Sequence, residues 1–255
     1  GPLMSTVLAW PGAIVIGVSL GLFGSGGSVL TVPVLVYLLG QDEKTAIAGS
    51  LFIVGSIALA GSLRYLRANV VQWRSVLTFG VPGMLGTWTG AELSVYLTGT
   101  MQLALFAVVM LVASVLILRP PALDAGDRTE RSLWKIAIDG LVVGIITGIV
   151  GVGGGFLIVP ALVLLGGLTM LQAIATSLVI IALKSFAGFI KYVDVLADEG
   201  LTLDWPVLFI VTALGIAGSQ LGGFAAARLP QDRLRQGFGV FLMVMAVYIL
   251  LRSFV

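Results

Sequence analysis

Eight apolar runs dominate the chain, and its polar residues gather in the short gaps between them. In the first half the runs cover about Leu8 to Gly40, Lys44 to Leu66, Val76 to Leu97 and Met101 to Leu118. In the second they cover about Ile136 to Gly167, Leu171 to Tyr192, Pro206 to Ala227 and Leu234 to Leu251. Three runs of each half are long enough to cross a ~30 Å hydrocarbon core as single helices. The first run of each half is interrupted by glycine, in "GSGGSVLTVP" (Gly24 to Pro33) and "GVGGGFLIVP" (Gly151 to Pro160). The pattern predicts an all-α polytopic membrane protein.

The two halves are one unit written twice. Gly17 to Tyr65 aligns without gaps on Gly144 to Tyr192, placing "GSLFIVGSIALAGSLRY" on "TSLVIIALKSFAGFIKY". After a slip of five residues Trp73 falls on Trp205, Gly83 on Gly215, Gly86 on Gly218, Gly90 on Gly222 and Phe106 on Phe238. The long polar stretch "RPPALDAGDRTERSLWK" reads as a linker. The expected organisation is therefore residues 1–3 as the scar of a cleaved tag, 4–118 as repeat 1, 119–135 as a cytoplasmic linker and 136–255 as repeat 2.

Loop charge orients these repeats. Lys/Arg-rich loops stay in the cytoplasm, so the loop with Arg64, Arg67 and Arg74 reads as inside, as does the linker with Arg119, Arg128, Arg131 and Lys135. The corresponding loop of the second half carries Asp194, Asp198, Glu199 and Asp204 against only Lys191 at its edge, and Arg228, Arg233 and Arg235 follow one crossing later. The signs have exchanged places. Two inverted-topology repeats with an odd number of crossings each satisfy this, if every interrupted run is a Gly-broken helical hairpin followed by three transmembrane helices. A parallel repeat is the alternative, with each interrupted run a single broken span.

Hairpin arms of about 13 to 17 residues reach past the middle of a bilayer without crossing it, ~20 Å for 13 residues. The tips, Gly24 to Ser28 and Gly151 to Gly155, are expected near the midplane from opposite faces. Irregular backbone at that depth is tolerated only inside protein or along a watery cavity. Glycine permits the turn, and free N–H groups at the start of an arm attract anions. Two such tips resemble the plan of a secondary-transporter site. Packing is the competing role of glycine, and it applies to the small-xxx-small pairs Gly17/Gly21, Gly144/Gly148, Gly86/Gly90 and Gly218/Gly222.

Composition narrows the chemistry. Only 10% of the residues are charged and 58% are hydrophobic, too little charge to cover a water-exposed surface. There is no cysteine and no histidine, which removes thiol nucleophiles, disulfides, the commonest general base and the usual transition-metal ligands. No enzyme, cofactor or metal is expected. Neither tip fits a nucleotide-binding glycine motif. The net charge of +2 suits lipid headgroups better than nucleic acid.

Two repeats that each open with G-x-x-G-x-G-G…(L)-x-V-P, followed by A-x-x-(S)-L…(A)-G…Y, resemble the sulfite exporter TauE/SafE family of permeases. The matching segments are "GLFGSGGSVLTVP" with "AIAGSLFIVGSIALAGSLRY" and "GIVGVGGGFLIVP" with "AIATSLVIIALKSFAGFIKY". "NVVQW" and "LTLDW" look like the family's short re-entry segments before its third run. The resemblance covers essentially Gly12 to Leu251. It implies transport of a small sulfur-containing anion such as sulfite, a sulfonate or sulfoacetate across a bacterial plasma (inner) membrane.

The candidate substrate-binding residues are Gly24, Ser25, Gly26, Gly27, Ser28, Gly151, Gly153, Gly154, Gly155, Ser50, Ser177 and Lys184, with Thr176 as a further hydroxyl. Lys184 lies mid-run where repeat 1 has Ile57. A lysine at the bilayer centre costs about 2.5 to 3.5 kcal/mol on insertion scales, which a bound oxyanion would offset. A structural ion pair with Asp139 or Glu92, or snorkelling, is the alternative. Glu92 and Asp139 are the candidates to carry a coupling proton or cation; as interfacial anchors they would have no such role. Trp10, Trp73, Trp134 and Trp205 read as interfacial anchors, while Trp88 either lines the path or packs. The expected partners are a small anion, the lipid bilayer and a coupling ion. A passive anion channel using the same site is the competing function.

Overall fold

The computed structural model describes residues 2–24, 27–93, 96–97, 99–119, 133–150 and 155–253. Among these residues the regular structure is helical throughout. The first interrupted run forms α1 (Pro2–Phe23) and α2 (Gly27–Pro33), which continues into a π-helical turn at Val34–Leu38. Then come α3 (Glu43–Arg67), the short α4 (Trp73–Ser75) leading through a second π turn at Val76–Gly80 into α5 (Val81–Leu93), and α6 (Gly99–Leu118). The second half forms α7 (Leu133–Val150), α8 (Gly155–Leu164), α9 (Met170–Asp198), α10 (Trp205–Arg228) and α11 (Gln231–Ser253). Three stretches of the described residues are long and apolar enough to cross a membrane: Thr45–Arg67, Met170–Ile190 and Trp205–Arg228. Large apolar side chains such as Leu77, Leu85, Leu221, Val244 and Leu251 stand exposed, as lipid-facing positions do.

The helix ends carry their own signals. Thr169 and Gln172 form a capping box ahead of α9, each side chain accepting the other's backbone N–H. Asp204 accepts the Val207 N–H at the start of α10. At the end of α3, Asn69 takes φ +55°, Val70 N–H donates to the Tyr65 carbonyl and Asn69 N–H to that of Leu66; this is a Schellman cap. Gly200, with φ +68°, closes α9 in the same way. Each π turn lies beside a proline, Pro33 or Pro82, whose missing N–H leaves the helix ladder one donor short.

The chain gathers into two compact units, and neither is a sequence repeat. Unit 1 comprises residues 1–71 and 174–228, and unit 2 comprises residues 72–173 and 229–255. Within unit 1, α1 packs chiefly on α10. A Cβ placed on Gly17 would meet the Gly215 carbonyl oxygen at 1.8 Å, and one on Gly21 the Ser219 carbonyl oxygen at 2.2 Å. Both numbers rise together, so α1 and α10 are parallel. Helix α3 is parallel to α10 as well, since Gly49 faces Leu208, Ile57 faces Gly215 and Arg64 faces Gly223. Helix α9 runs the other way along α3, with Leu51 against Gly188, Gly55 against Ser185 and Gly61 against Leu178.

These registers fix two features of unit 1. Helices α1 and α3 point the same way, so the chain between them must run back. It does: Gly27 lies against Leu20, and Gly12 against Val34 and Leu38. The first interrupted run is thus a hairpin. The second feature is a separation of charge. The basic ends of α3 (Arg64, Arg67) and α10 (Arg228) share one end of the unit, and Asp194, Asp198 and Asp204 occupy the other.

Unit 2 uses the same contacts with the repeats exchanged. Its α5 and α7 are parallel: a Cβ on Gly140 would meet the carbonyl oxygen of Phe79, in the π turn that leads into α5, at 2.6 Å, and one on Gly144 that of Gly83 at 2.2 Å, while one on Gly86 would meet that of Leu141 at 2.3 Å. Under the repeat alignment Gly144 corresponds to Gly17, Gly83 to Gly215, Gly86 to Gly218 and Leu141 to Ile14, and a Cβ on Gly218 would meet the Ile14 carbonyl oxygen at 2.3 Å. The start of α11 meets the end of α6, where Arg235 donates to the Ile117 carbonyl at 3.0 Å and Gly239 packs on Leu118.

Candidate functional site

The elbow of the first hairpin begins at Gly24, where φ is +68° and the N–H donates to the Leu20 carbonyl at 2.8 Å. This left-handed residue ends α1, and its carbonyl then projects from the negative end of a helix. Ser177, fully buried on α9, donates its hydroxyl to that carbonyl at 3.0 Å. The contact joins residues 153 positions apart. It covers an acceptor that would repel an anion. Helix α2 starts at Gly27, whose missing side chain lets Leu20 approach; a Cβ there would stand 2.7 Å from Leu20 Cδ1. Thr31 donates its hydroxyl to the Gly27 carbonyl.

The arms differ in length from the sequence expectation. The first arms, α1 and α7, have 22 and 18 residues, and the second arms are shorter than the expected range. The first elbow consequently sits off centre. Gly21 is level with Ser219, which puts Gly24 roughly 8 Å beyond the midpoint of α10, toward its Arg228 end. Lys184 lies seven residues after Ser177 on α9, so the two share a helix face roughly 10 Å apart along the axis. Lys184 is half-buried. A helical side chain leans toward the N-terminus of its helix, here toward Ser177 and the elbow.

The structure thus brings Gly24 and Ser177 into contact, with Lys184 two turns away on the same face of α9. Ser50 and Thr176 are buried. Ser25, Gly26, Gly151, Gly153 and Gly154 lie outside the described residues, as does the side chain of Ser28; Gly155 opens α8. Glu92 is exposed and Asp139 half-buried, both within unit 2. Trp88 is 61% exposed, so it faces outward from its helix. Trp205 meets Phe52 and Phe189 edge to face and Phe209 at a tilt, the Phe52 centroid lying 5.6 Å from it.

Sequence reasoning missed Tyr65. Its side chain is 2% exposed, and its hydroxyl has no hydrogen-bond partner. A tyrosine at the end of a membrane helix looks like an interfacial anchor, and only packing reveals its burial. Among the described residues no group of three or more acidic side chains gathers to hold a metal ion.

Comparison with known proteins agrees with a transport role. The family model described as "Sulfite exporter TauE/SafE" matches residues 9–249. A "Probable membrane transporter protein" of Xylella fastidiosa (strain 9a5c) is 31% identical over 245 residues, covering 93% of this chain and 92% of its own. A protein of the same description from Haemophilus influenzae is 27% identical over 249 residues, covering 91% and 93%. A relative from Methanocaldococcus jannaschii is 24% identical over 247 residues, covering 93% and 92%. No solved structure matches. With the family pattern covering nearly the whole chain and with helices fit to cross a bilayer, this protein is an integral protein of the bacterial plasma membrane and belongs to the TauE/SafE sulfite exporter family of membrane transporters.

Proposed function

We propose that this protein is a secondary transporter that moves a small sulfur-containing anion, of the sulfite, sulfonate or sulfoacetate class, by alternating access. The single observation that carries the reading is the bond from Ser177 to the Gly24 carbonyl. With that acceptor covered, the amides that open α2 favour negative charge beside it. Lys184, on the same face of α9, supplies a full positive charge to the oxyanion. The repeats are inverted in this reading. Helices α3 and α9 occupy equivalent places in the two repeats and pack antiparallel within unit 1, while the basic and acidic ends separate as the positive-inside rule requires. Glu92 and Asp139 are the groups proposed to carry a coupling ion.

The test is uptake of ³⁵S-labelled sulfite and sulfoacetate into proteoliposomes, with thermal-shift binding of the same anions beside sulfate, taurine and halides. Saturable uptake that accumulates anion against its gradient, driven by a proton or sodium gradient, is expected. Uptake that only equilibrates would instead identify a passive channel. Lys184→Ala should weaken the best anion at least tenfold. Unchanged affinity in folded K184A protein would falsify the role of Lys184.

A further inference from the structure

We infer that Tyr65 is a further substrate-contacting residue of the proposed site, its buried phenol hydroxyl held level with the Gly24 elbow to donate a hydrogen bond to the transported oxyanion. The inference rests on the anion reading above. Four registers of unit 1 bring Tyr65 to the elbow. Gly61, one turn before Tyr65 on the same helix face, packs between Leu178 of α9 and Ser219 of α10. Ser219 is level with Gly21 of α1, so one turn further on Tyr65 is level with Gly24. Arg64 lies over Gly223, which confirms that level on α10. Ser177, bonded to Gly24, lies one residue from Leu178.

Hydrogen bonding then sets Tyr65 apart at the level of the elbow; the unpartnered hydroxyl of Thr212 lies two turns before Ser219 on α10. The buried hydroxyls around it are engaged: Ser19 donates to Ile16, Ser62 to Leu59, Ser219 to Ile216, Thr31 to Gly27 and Ser177 to Gly24. Serine and threonine can return a hydrogen bond to their own helix. A phenol at the end of a rigid ring cannot, and the Tyr65 hydroxyl has no partner. The Schellman cap at Val70 and Asn69 anchors the backbone of this last turn, so the ring cannot swing out by fraying. A buried donor without an acceptor is costly, and an oxyanion beside the elbow would satisfy it. The phenol donates and keeps its proton, so no covalent step is involved.

The experiment compares wild type, Tyr65→Phe and Lys184→Ala in proteoliposomes, measuring KM for ³⁵S-sulfite and ³⁵S-sulfoacetate together with Tm in detergent with and without each anion. The Phe variant keeps the ring and its packing. The expected result is a KM raised at least tenfold, a lost anion-induced Tm shift, and an anion-free Tm equal to or above wild type. An unchanged KM overturns the inference, whichever way the anion-free Tm moves, because the hydroxyl would then serve packing alone. If K184A loses affinity and Y65F does not, only the role of Tyr65 falls. If wild type neither binds nor carries any of these anions, the anion reading falls and the inference with it.

Discussion

Gly17 and Gly215 touch backbone to backbone, so closely that one methyl group on Gly17 would overlap the carbonyl oxygen of its partner. Gly144 and Gly83 stand in the same relation in unit 2. Because the obstacle is main chain, it cannot rotate away. Gly17→Ala and Gly144→Ala should each cost on the order of 1–3 kcal/mol or more, as overpacked sites do. Thermal unfolding in detergent should show both variants well below wild type. A near-native Tm for either would mean that these helices are not in contact as described.

The reverse substitution has a different sign of relief. A Cβ on Gly215 would run into Ile57 Cδ1 at 2.2 Å, the far end of a flexible side chain. Gly215→Ala should be the milder lesion, and Ile57→Val should recover part of it. A double-mutant cycle measures this coupling, which is expected to be favourable; strict additivity would argue against the contact.

Gly40 and Gly167 occupy equivalent ends of the two hairpins, with φ +67° and +68° and no atom near where a Cβ would go. Substitution here tests backbone strain without steric clash. Each Gly→Ala change should cost about 1–2 kcal/mol, the penalty of left-handed geometry, with Gly→Asn milder. Equal Tm losses at the two sites are the expected outcome.

Ser177→Ala should leave the buried Gly24 carbonyl without its donor, at about 1–3 kcal/mol, and loosen the first elbow. Hydrogen exchange at Gly27 to Leu30 is expected to quicken, while Ser177→Thr, which keeps a hydroxyl, should restore protection. Exchange unaffected by either change would show that the bond does not hold the elbow.

The chain lacks cysteine, so single reporters can be placed without background. Asp198→Cys should react with an impermeant maleimide from outside and Gln231→Cys only from the cytoplasmic side. Labelling of Asp198→Cys only from the cytoplasmic side, with Gln231→Cys reacting from outside, would contradict inverted repeats.

Much of this architecture is legible in the residues, because glycine, proline and charge act locally. The repeat, the hairpin break at Gly24 and the ends of α3 and α10 all follow from such signals. Partnership does not. The Gly17/Gly21 and Gly218/Gly222 pairs announce close packing, yet nothing in either stripe says that α1 of one repeat will choose α10 of the other. Ser177 reads as a free hydroxyl because its partner is 153 residues away. The off-centre elbow was hidden for a related reason: hydropathy cannot say where in α1 the lipid boundary falls, and α1 extends further toward its N-terminus than the apolar run beginning at Leu8.

The parallel contact of α1 with α10 also has a consequence for biosynthesis. The ribosome adds about 200 residues between Gly17 and Gly215, which at ~5–20 residues per second takes roughly 10–40 s. Throughout that interval the glycine groove of the nascent first hairpin has only lipid or the insertion machinery to lie against. Growth conditions that slow elongation should therefore expose this protein, more than one whose neighbours in sequence are its neighbours in space, to quality-control proteolysis.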